Sequence, residues 1–525
     1  MSRSVGEVLV SALKARGVEV VFGIPGAHTI ELYRGLAGSG IRHVTARHEG
    51  SAVFMADGYA RVTGKPGVAL VITGPGVTNA LTAMGQAAED SVPVLVISGV
   101  NRRDSLGRGL GHLHELPDQG GMVRTLCPSF QVTGPEALNG VVDQAFAAMT
   151  GGRPGPVHIE VPTDVMPLPC PIAPSTPMEM PPLAPDSDHL AEAARLLNGA
   201  RQPVIIAGGG ARFAVEEVRA LAKRLDAPVI QTMNARGLMG DDPLGISGGI
   251  CLPSVTGLIN SSDAVLALGT EIGETEYDAY ASGQICDLGA MIRVDVCPAQ
   301  LARRPARMKI RADARAVARA LLPLVTARQT GGAARAKDVM KAAEVETAGL
   351  SPEFGPALEL LEALRAAKPG AIIVGDSTAP VYAGNLAYRH DRPSGWFNSS
   401  AGFGSLGYAP GAAVGAALGA PGVPVICLIG DGGLQFSPSE LRTAVDERLP
   451  ITFLVWNNAG FGEIEKYMVS AGTEVIGCRP SPFRHDHLAA ACDLPFRSVG
   501  LDAAALKEAL LALGPGPALV EIRAT

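Results

Sequence analysis

The chain has 525 residues, 64 of them glycine, with only 4% aromatic and 18% charged residues; this allows about three domains of close-packed α/β layers joined by tight turns. A net charge of −7 with no basic run argues against nucleic-acid binding, and no 18-residue stretch free of Gly, Pro and charge offers a membrane span. The amino terminus reads as an amphipathic helix without a signal peptide, and eight scattered cysteines without CxxC spacing suit a reduced, cytoplasmic setting.

In chain order, residues 1–165 alternate strand and helix. VEVVFGI, a helix through Glu31–Leu36, IRHVTA and a helix opening near Glu49 are followed by VALVIT, VPVLVIS and PVHIEV. The continuous apolar runs are those of strands buried on both faces of a parallel sheet. Nine prolines between Pro162 and Pro185 make a stiff connection. A second α/β pattern over 186–327 contains PVIIAGGG, PVIQT, AVLALG and MIRVDV, then fades into TGGAARAKDV, which reads as another linker. The third unit, 351–525, holds AIIVGDS, ALVEIR and the segment from Val423 to Gly462. The expected fold is therefore α/β, with three doubly wound parallel-sheet domains.

Val423–Gly462 reads as strand, turn, helix, strand, turn. Ser437 is placed to cap the helix, with Pro438 at its first position and Glu440 closing a capping box. The two turns, GDGG and NN, fall at the carboxyl ends of parallel strands, where open α/β sheets bind ligands. Asp431 supplies a carboxylate and Asn458 an amide oxygen, both hard donors for a magnesium- or calcium-like cation. Gly430, Gly432 and Gly433 let backbone N–H groups approach an anion. Either turn alone is commonplace; as the two ends of one βαβ unit they describe a metal–diphosphate site.

GDG followed at this interval by NN resembles the signature of thiamine diphosphate enzymes. The likeness is nearest to the acetolactate synthase and 2-oxo acid decarboxylase branch and covers essentially the whole chain. It implies pyrimidine-binding, central and diphosphate-binding domains, in that order. It also implies thiamine diphosphate and Mg2+ as cofactors, the metal being held by Asp431, Asn458 and the carbonyl of Gly460. Glu49, in TARHEGSAVFMADGYAR, matches the family's E-x7-DGYAR pattern, in which the acid contacts the cofactor's pyrimidine ring. Such a contact lets the cofactor's own amino nitrogen act as base towards a weak carbon acid, and an apolar surround would raise the carboxyl's pKa. SAGFGSLGYAPG places Leu406 as the wedge beneath the bent cofactor and Gly404 as the carbonyl accepting from its amino group. Ser377 and Thr378 are placed like diphosphate-binding hydroxyls, whereas Asp57 and Arg61 read as a structural pair. In this family the site forms between subunits, so a homodimer or homotetramer is expected.

Three stretches bear on the reaction. ITGPGVTNALTAMGQAAEDSVPVLVIS is similar to acetolactate synthases. LGHLHELPDQ offers His112 and His114, either of which could protonate a carbanion near neutral pH or simply cap a loop. NNAGFGEIEKYM puts Glu463 and Ile464 where family members line the substrate pocket, and a carboxylate there suits a cationic substrate. Glu274, Glu276 and Asp278 in GETEYDAY form an acidic cluster whose default explanation is solvated charge. Together with FGIPGAHTIELYRGL, these segments resemble the guanidino-oxopentanoate (2-ketoarginine) decarboxylases. An acetolactate synthase-type carboligase acting on pyruvate is the alternative, and a catalytically inactive binding homologue the second. The Gly208–Gly210 run follows a strand without a full dinucleotide fingerprint, so FAD is possible but not expected.

Overall fold

The computed structural model describes residues 3–177, 180–278, 283, 285–481 and 483–524. Its strands form three six-stranded sheets whose registered neighbours run parallel. The first contains β1 (Val20–Gly23), β2 (Arg42–Thr45), β3 (Gly67–Val71), β4 (Val94–Val100), β5 (Ser129–Gln131) and β6 (Val157–Pro162), in the order 2-1-3-4-6-5. The second contains β7 (Pro203–Ala207), β8 (Val229–Gln231), β9 (Gly245–Ile246), β10 (Ala264–Leu268), β11 (Met291–Asp295) and β12 (Met308–Arg311). Counted from its own first strand, its order is 3-2-1-4-5-6. The third contains β13 (Ile372–Gly375), β14 (Trp396–Asn398), β15 (Val425–Gly430), β16 (Ile451–Asn457), β17 (Phe496–Val499) and β18 (Ala518–Arg523). Its order, 14-13-15-16-18-17, repeats that of the first sheet. Central strands such as β3, β4, β7 and β10 are buried throughout, as their unbroken apolar runs demand.

The chain divides into two compact units. One comprises Met1–Met180, Phe403–Gly422 and Leu434–Ile451; the other comprises Pro181–Gly402, Val423–Gly433 and Thr452–Thr525. In the first unit, helix Glu49–Thr63 crosses helix Tyr408–Gly419 at a distance only glycine permits. A Cβ on Gly58 would stand 2.0 Å from the Ala412 carbonyl oxygen, and one on Gly415 would stand 1.8 Å from that of Met55. A buried network spans the crossing: Arg61 pairs with Asp57 and Asp90, each at 2.6 Å, and the Tyr408 hydroxyl donates to Asp57 at 2.5 Å. Asp57 and Arg61 are thus a structural pair, as their spacing suggests.

Three local expectations are corrected. TGGAARAKDV is no linker: it opens the helix Gly332–Leu350, which buries Ala336, Met340 and Ala343. High helix propensity and small apolar residues on one face explain this. The helix expected from Ser437 begins at Glu440 without a side-chain cap. The Ser437 hydroxyl donates instead to the Gly407 carbonyl. Nor are two of the three acids of GETEYDAY merely solvated: Glu274 is exposed, but Glu276 accepts from the Met233 N–H at 2.5 Å and the buried Asp278 from the Gly283 N–H at 2.6 Å. The last two residues of that motif lie outside the described residues. Among the described residues, no helix is long and apolar enough to cross a membrane.

Candidate active site

The carboxyl edge of the third sheet gathers the turns that follow β13, β15 and β16. After β15 the chain enters a single helical turn, Asp431–Leu434. Bulk is barred there: a Cβ on Gly432 would lie 2.7 Å from the Phe461 ring, and one on Gly433 3.0 Å from Asp376 Oδ1. The Thr378 hydroxyl would face a Cβ on Gly430 at 3.2 Å, so the hydroxyl-bearing turn after β13 abuts the GDGG turn. Ser377 lies beside it, its N–H donating to Asp376 at 2.9 Å. Hydroxyls, glycine backbone and the start of a helical turn thereby meet at adjacent strands, a setting suited to an oxyanion.

Asp431 is almost wholly buried, and burial raises its carboxyl pKa. The Asn458 backbone N–H reaches it at 3.3 Å. One terminal atom of the Asn458 amide lies 2.9 Å from the Gly460 carbonyl oxygen and 3.1 Å from Asp431 Oδ1. In the orientation present that atom is oxygen and faces only acceptors; turned over, the amide nitrogen donates to both. Turned so, the amide satisfies both acceptors; turned back, it would present three oxygens to a hard cation. The donor set of one carboxylate, one amide and one carbonyl fits a hard cation. Among the described residues no cluster of three His, Cys, Asp or Glu offers the alternative of a softer metal centre.

The NN pair divides its labour. Asn457 Nδ2 donates to Glu521 at 2.7 Å, and its oxygen accepts from the Ala459 N–H at 3.1 Å. This braces a strained turn, in which Ala459 sits at φ +59° and a Cβ on Gly460 would meet the Cys478 carbonyl oxygen at 2.4 Å. Glu521 is held in turn by His485 at 2.8 Å and by the Ser498 hydroxyl at 2.7 Å. Sequence reading found Asn458 but not this brace, because its members come from three distant segments. Downstream, helix Gly462–Ser470 has no buried residue. Glu463 stands in its first turn, half-exposed beside the exposed Ile464.

In the first unit, Glu49 and the two loop histidines lie in segments that follow strands of the first sheet. Glu49 begins helix Glu49–Thr63, whose N-cap His48 accepts from the Gly50 N–H. Its carboxylate is half-buried and accepts from Asn79 Nδ2 at 3.0 Å. Asn79 lies in the helix Pro75–Glu89, within the PGVTN segment whose likeness to relatives was visible but whose role was not. Glu440, expected to close a capping box, is fully buried and accepts from the Arg47 N–H at 3.0 Å. It thereby anchors the backbone two residues ahead of Glu49.

The two loop histidines differ. His112 is exposed, with its N–H donating to Glu115 at 3.0 Å. His114 is half-buried at φ +61°, and its ring meets that of His28 edge to face at 5.3 Å. Nδ1 of each ring is buried without a hydrogen-bond partner. Burial lowers the His28 pKa, with a further contribution from His114. His28 was missed by sequence reading; its signal was an imidazole in the loop directly after β1. Gly404, at φ +73°, is exposed and Leu406 is half-buried, in a loop whose Ser405 N–H donates to Gln86 at 3.2 Å.

Comparison with known proteins shows the family of the chain. Residues 3–122 match the thiamine pyrophosphate enzyme N-terminal TPP binding domain, 190–321 the central domain and 375–522 the C-terminal TPP binding domain. The chain belongs to the thiamine pyrophosphate enzyme family, and thiamine diphosphate is its cofactor. A probable 2-ketoarginine decarboxylase (AruI) of Pseudomonas aeruginosa is 42% identical over 90% of this chain and 86% of its own. An acetolactate synthase of Mycobacterium bovis is 32% identical over 88% and 77%, and the acetolactate synthase isozyme 1 large subunit of Escherichia coli 30% over 98% and 93%. These relatives place the chain in the branch that holds 2-oxo acid decarboxylases and acetolactate synthases.

Proposed function

We propose that the protein catalyses the Mg2+-supported, non-oxidative decarboxylation of a cationic 2-oxo acid, namely 5-guanidino-2-oxopentanoate to 4-guanidinobutanal and carbon dioxide. The observation that carries this reading is Glu463, a half-exposed carboxylate in the first turn of helix Gly462–Ser470, directly after the Asn458–Gly460 turn. A carboxylate beside an apolar substrate tail is costly, whereas beside a guanidinium it forms a charge-assisted, bidentate pair. The similarity to a 2-ketoarginine decarboxylase supports the same choice.

The residue roles proposed with this reading are those that the family resemblance implies. Asp431, Asn458 and the Gly460 carbonyl hold the cation; Ser377, Thr378 and the backbone of Gly430, Gly432 and Gly433 bind the diphosphate. Glu49 takes the pyrimidine nitrogen, Gly404 accepts from the amino group and Leu406 supports the bend. When bound, thiamine diphosphate supplies the electron sink for the pair left as carbon dioxide departs. The aldehyde carbon then needs one proton, and His114, with His28 against it, is a suitable donor. The domain division is proposed as 1–165, 186–327 and 351–525. The working form is a homodimer or homotetramer in which Glu49 of one subunit serves the metal turn of another; activity that survives dilution to monomer would contradict this.

The test offers the holoenzyme pyruvate, a branched 2-oxo acid, benzoylformate and 2-ketoarginine, and identifies the products. Carbon dioxide with 4-guanidinobutanal is expected. Acetolactate from pyruvate would replace this reading with a carboligase, and silence on all four would make the chain a binding homologue.

A further inference from the structure

Lys466, one turn after Glu463, is shared by two carboxylates. Its Nζ lies 3.3 Å from Glu463, 3.2 Å from Glu353 and 3.3 Å from the Ser351 hydroxyl. Glu353 comes from a distant segment, immediately before helix Phe354–Ala367. Neither carboxylate makes another ion pair among the described residues. All three side chains are partly exposed, at 42% for Lys466, 38% for Glu463 and 28% for Glu353, so the group is reachable rather than sealed in the core. Burial works against the ammonium, but Glu463 and Glu353 outweigh it and raise the Lys466 pKa, keeping it charged. The cluster thus holds two negative charges against one positive. It also adjoins the turn after β13: Tyr382, near Ser377, feels the Glu463 charge and is pushed up to about 12, first by burial. The tyrosine therefore stays neutral and adds no charge.

We propose that Glu353 and Lys466 set the charge selectivity at Glu463. By drawing Lys466 partly away, Glu353 leaves Glu463 with the unbalanced charge that receives the cationic end of the 2-oxo acid. This rests on the decarboxylase reading above. If Glu353 were absent, Lys466 would turn wholly to Glu463 and neutralise it. Glu353 thus acts as a positioning residue without touching substrate, and a bound guanidinium would bring the cluster to zero net charge.

The experiment compares kcat and KM of the holoenzyme for 2-ketoarginine and for neutral 2-oxohexanoate, in wild type, E353Q, K466M and the double variant. E353Q is expected to raise KM for the guanidino acid about fivefold, the scale of a half-exposed ion pair, with no comparable change for the neutral acid. K466M is expected to lower that KM. The double variant, again with one net negative charge, is expected to return to within about twofold of wild type, an interaction that separate structural defects would not produce. Equal effects on both substrates, or a double variant no better than the worse single one, would overturn the proposal. A wild type that prefers 2-oxohexanoate would reject the cationic-substrate reading itself, and this proposal with it. A wild type that prefers the guanidino acid, and keeps that preference unaltered in E353Q, would reject the proposal alone.

Discussion

The first and third sheets share one strand order and carry different residue types at their carboxyl edges. At the carboxyl edge of the first stand Glu49, braced by Asn79, and the His28–His114 pair. At the same edge of the third stand Asp431, Asn458 and the glycines of the GDGG turn. Topology fixes where ligands bind, and the residue types at the strand ends fix what is bound. The second sheet, with its different order, uses its glycines otherwise: a Cβ on Gly208 would meet the Gly269 carbonyl oxygen at 2.3 Å. Its Gly208–Gly210 run serves the close approach of two turns.

The contrast between the two edges is broken most severely at Asp431. Asp431→Ala removes the one carboxylate of the oxygen cluster, and decarboxylation is expected to fall at least about 1000-fold. Calorimetry should show in addition that Mg2+ no longer strengthens thiamine diphosphate binding; retained metal-dependent binding would remove Asp431 from the site. Glu49→Gln is expected to behave differently. Turnover should fall about 10²–10⁴-fold, the range of a lost proton-transfer group, while cofactor binding persists. If both variants lost the cofactor equally, the division into a holding edge and an activating edge would fail.

A third variant tests the scaffold of the first unit. Arg61→Met leaves Asp57 and Asp90 buried without their cation, a loss of about 3–5 kcal/mol. A thermal midpoint unchanged in Arg61→Met would mean that the carboxylates find other partners or protons.

Much of this was legible in sequence because the signals were local. Unbroken apolar runs marked the central strands, and one βαβ unit placed Asp431 and Asn458 at one sheet edge. What escaped was set by partners far away in the chain. Short edge strands such as β5, β9 and β17 carry too few residues for a periodic pattern. The alanine-rich stretch after Thr330 reads as linker until Ala336, Met340 and Ala343 are seen buried. Glu440 fits a capping-box pattern, yet its carboxylate is taken by Arg47, nearly 400 positions earlier. Asn457 reads as half of a dipeptide signature, but its brace depends on Glu521.

The finest comparison lies between Glu160 in β6 and Glu521 in β18, the equivalent strands of the two sheets. Each accepts from the neighbouring edge strand, Glu160 from Gln131 at 2.8 Å and Glu521 from Ser498 at 2.7 Å. Each also accepts from an amide that follows or ends the fourth strand, Gln119 at 3.1 Å and Asn457 at 2.7 Å. Burial dominates at Glu160 and raises its pKa above 4.5. At Glu521 burial also pushes upward, but His485, Asn457 and Ser498 together outweigh it and lower the value below 4.5. The two therefore contribute oppositely to stability. Glu160 favours folding at acid pH, and its contribution is lost as the pH rises from 4.5 through the higher folded value. Glu521 favours folding above 4.5, and its contribution is lost as the pH falls through the lower one. Denaturation at pH 7 should thus show Glu521→Gln destabilised by about 1–3 kcal/mol, with the gap to wild type narrowing below pH 4.5. Glu160→Gln should cost less than about 1 kcal/mol at pH 7, since the amide of Gln131 can turn to offer its oxygen. If Glu160→Gln proved the costlier at neutral pH, the carboxylate of the first sheet would be the better satisfied of the two. The bracing of the Asn457–Gly460 turn on the third sheet would then rest on Asn457 and His485 rather than on Glu521.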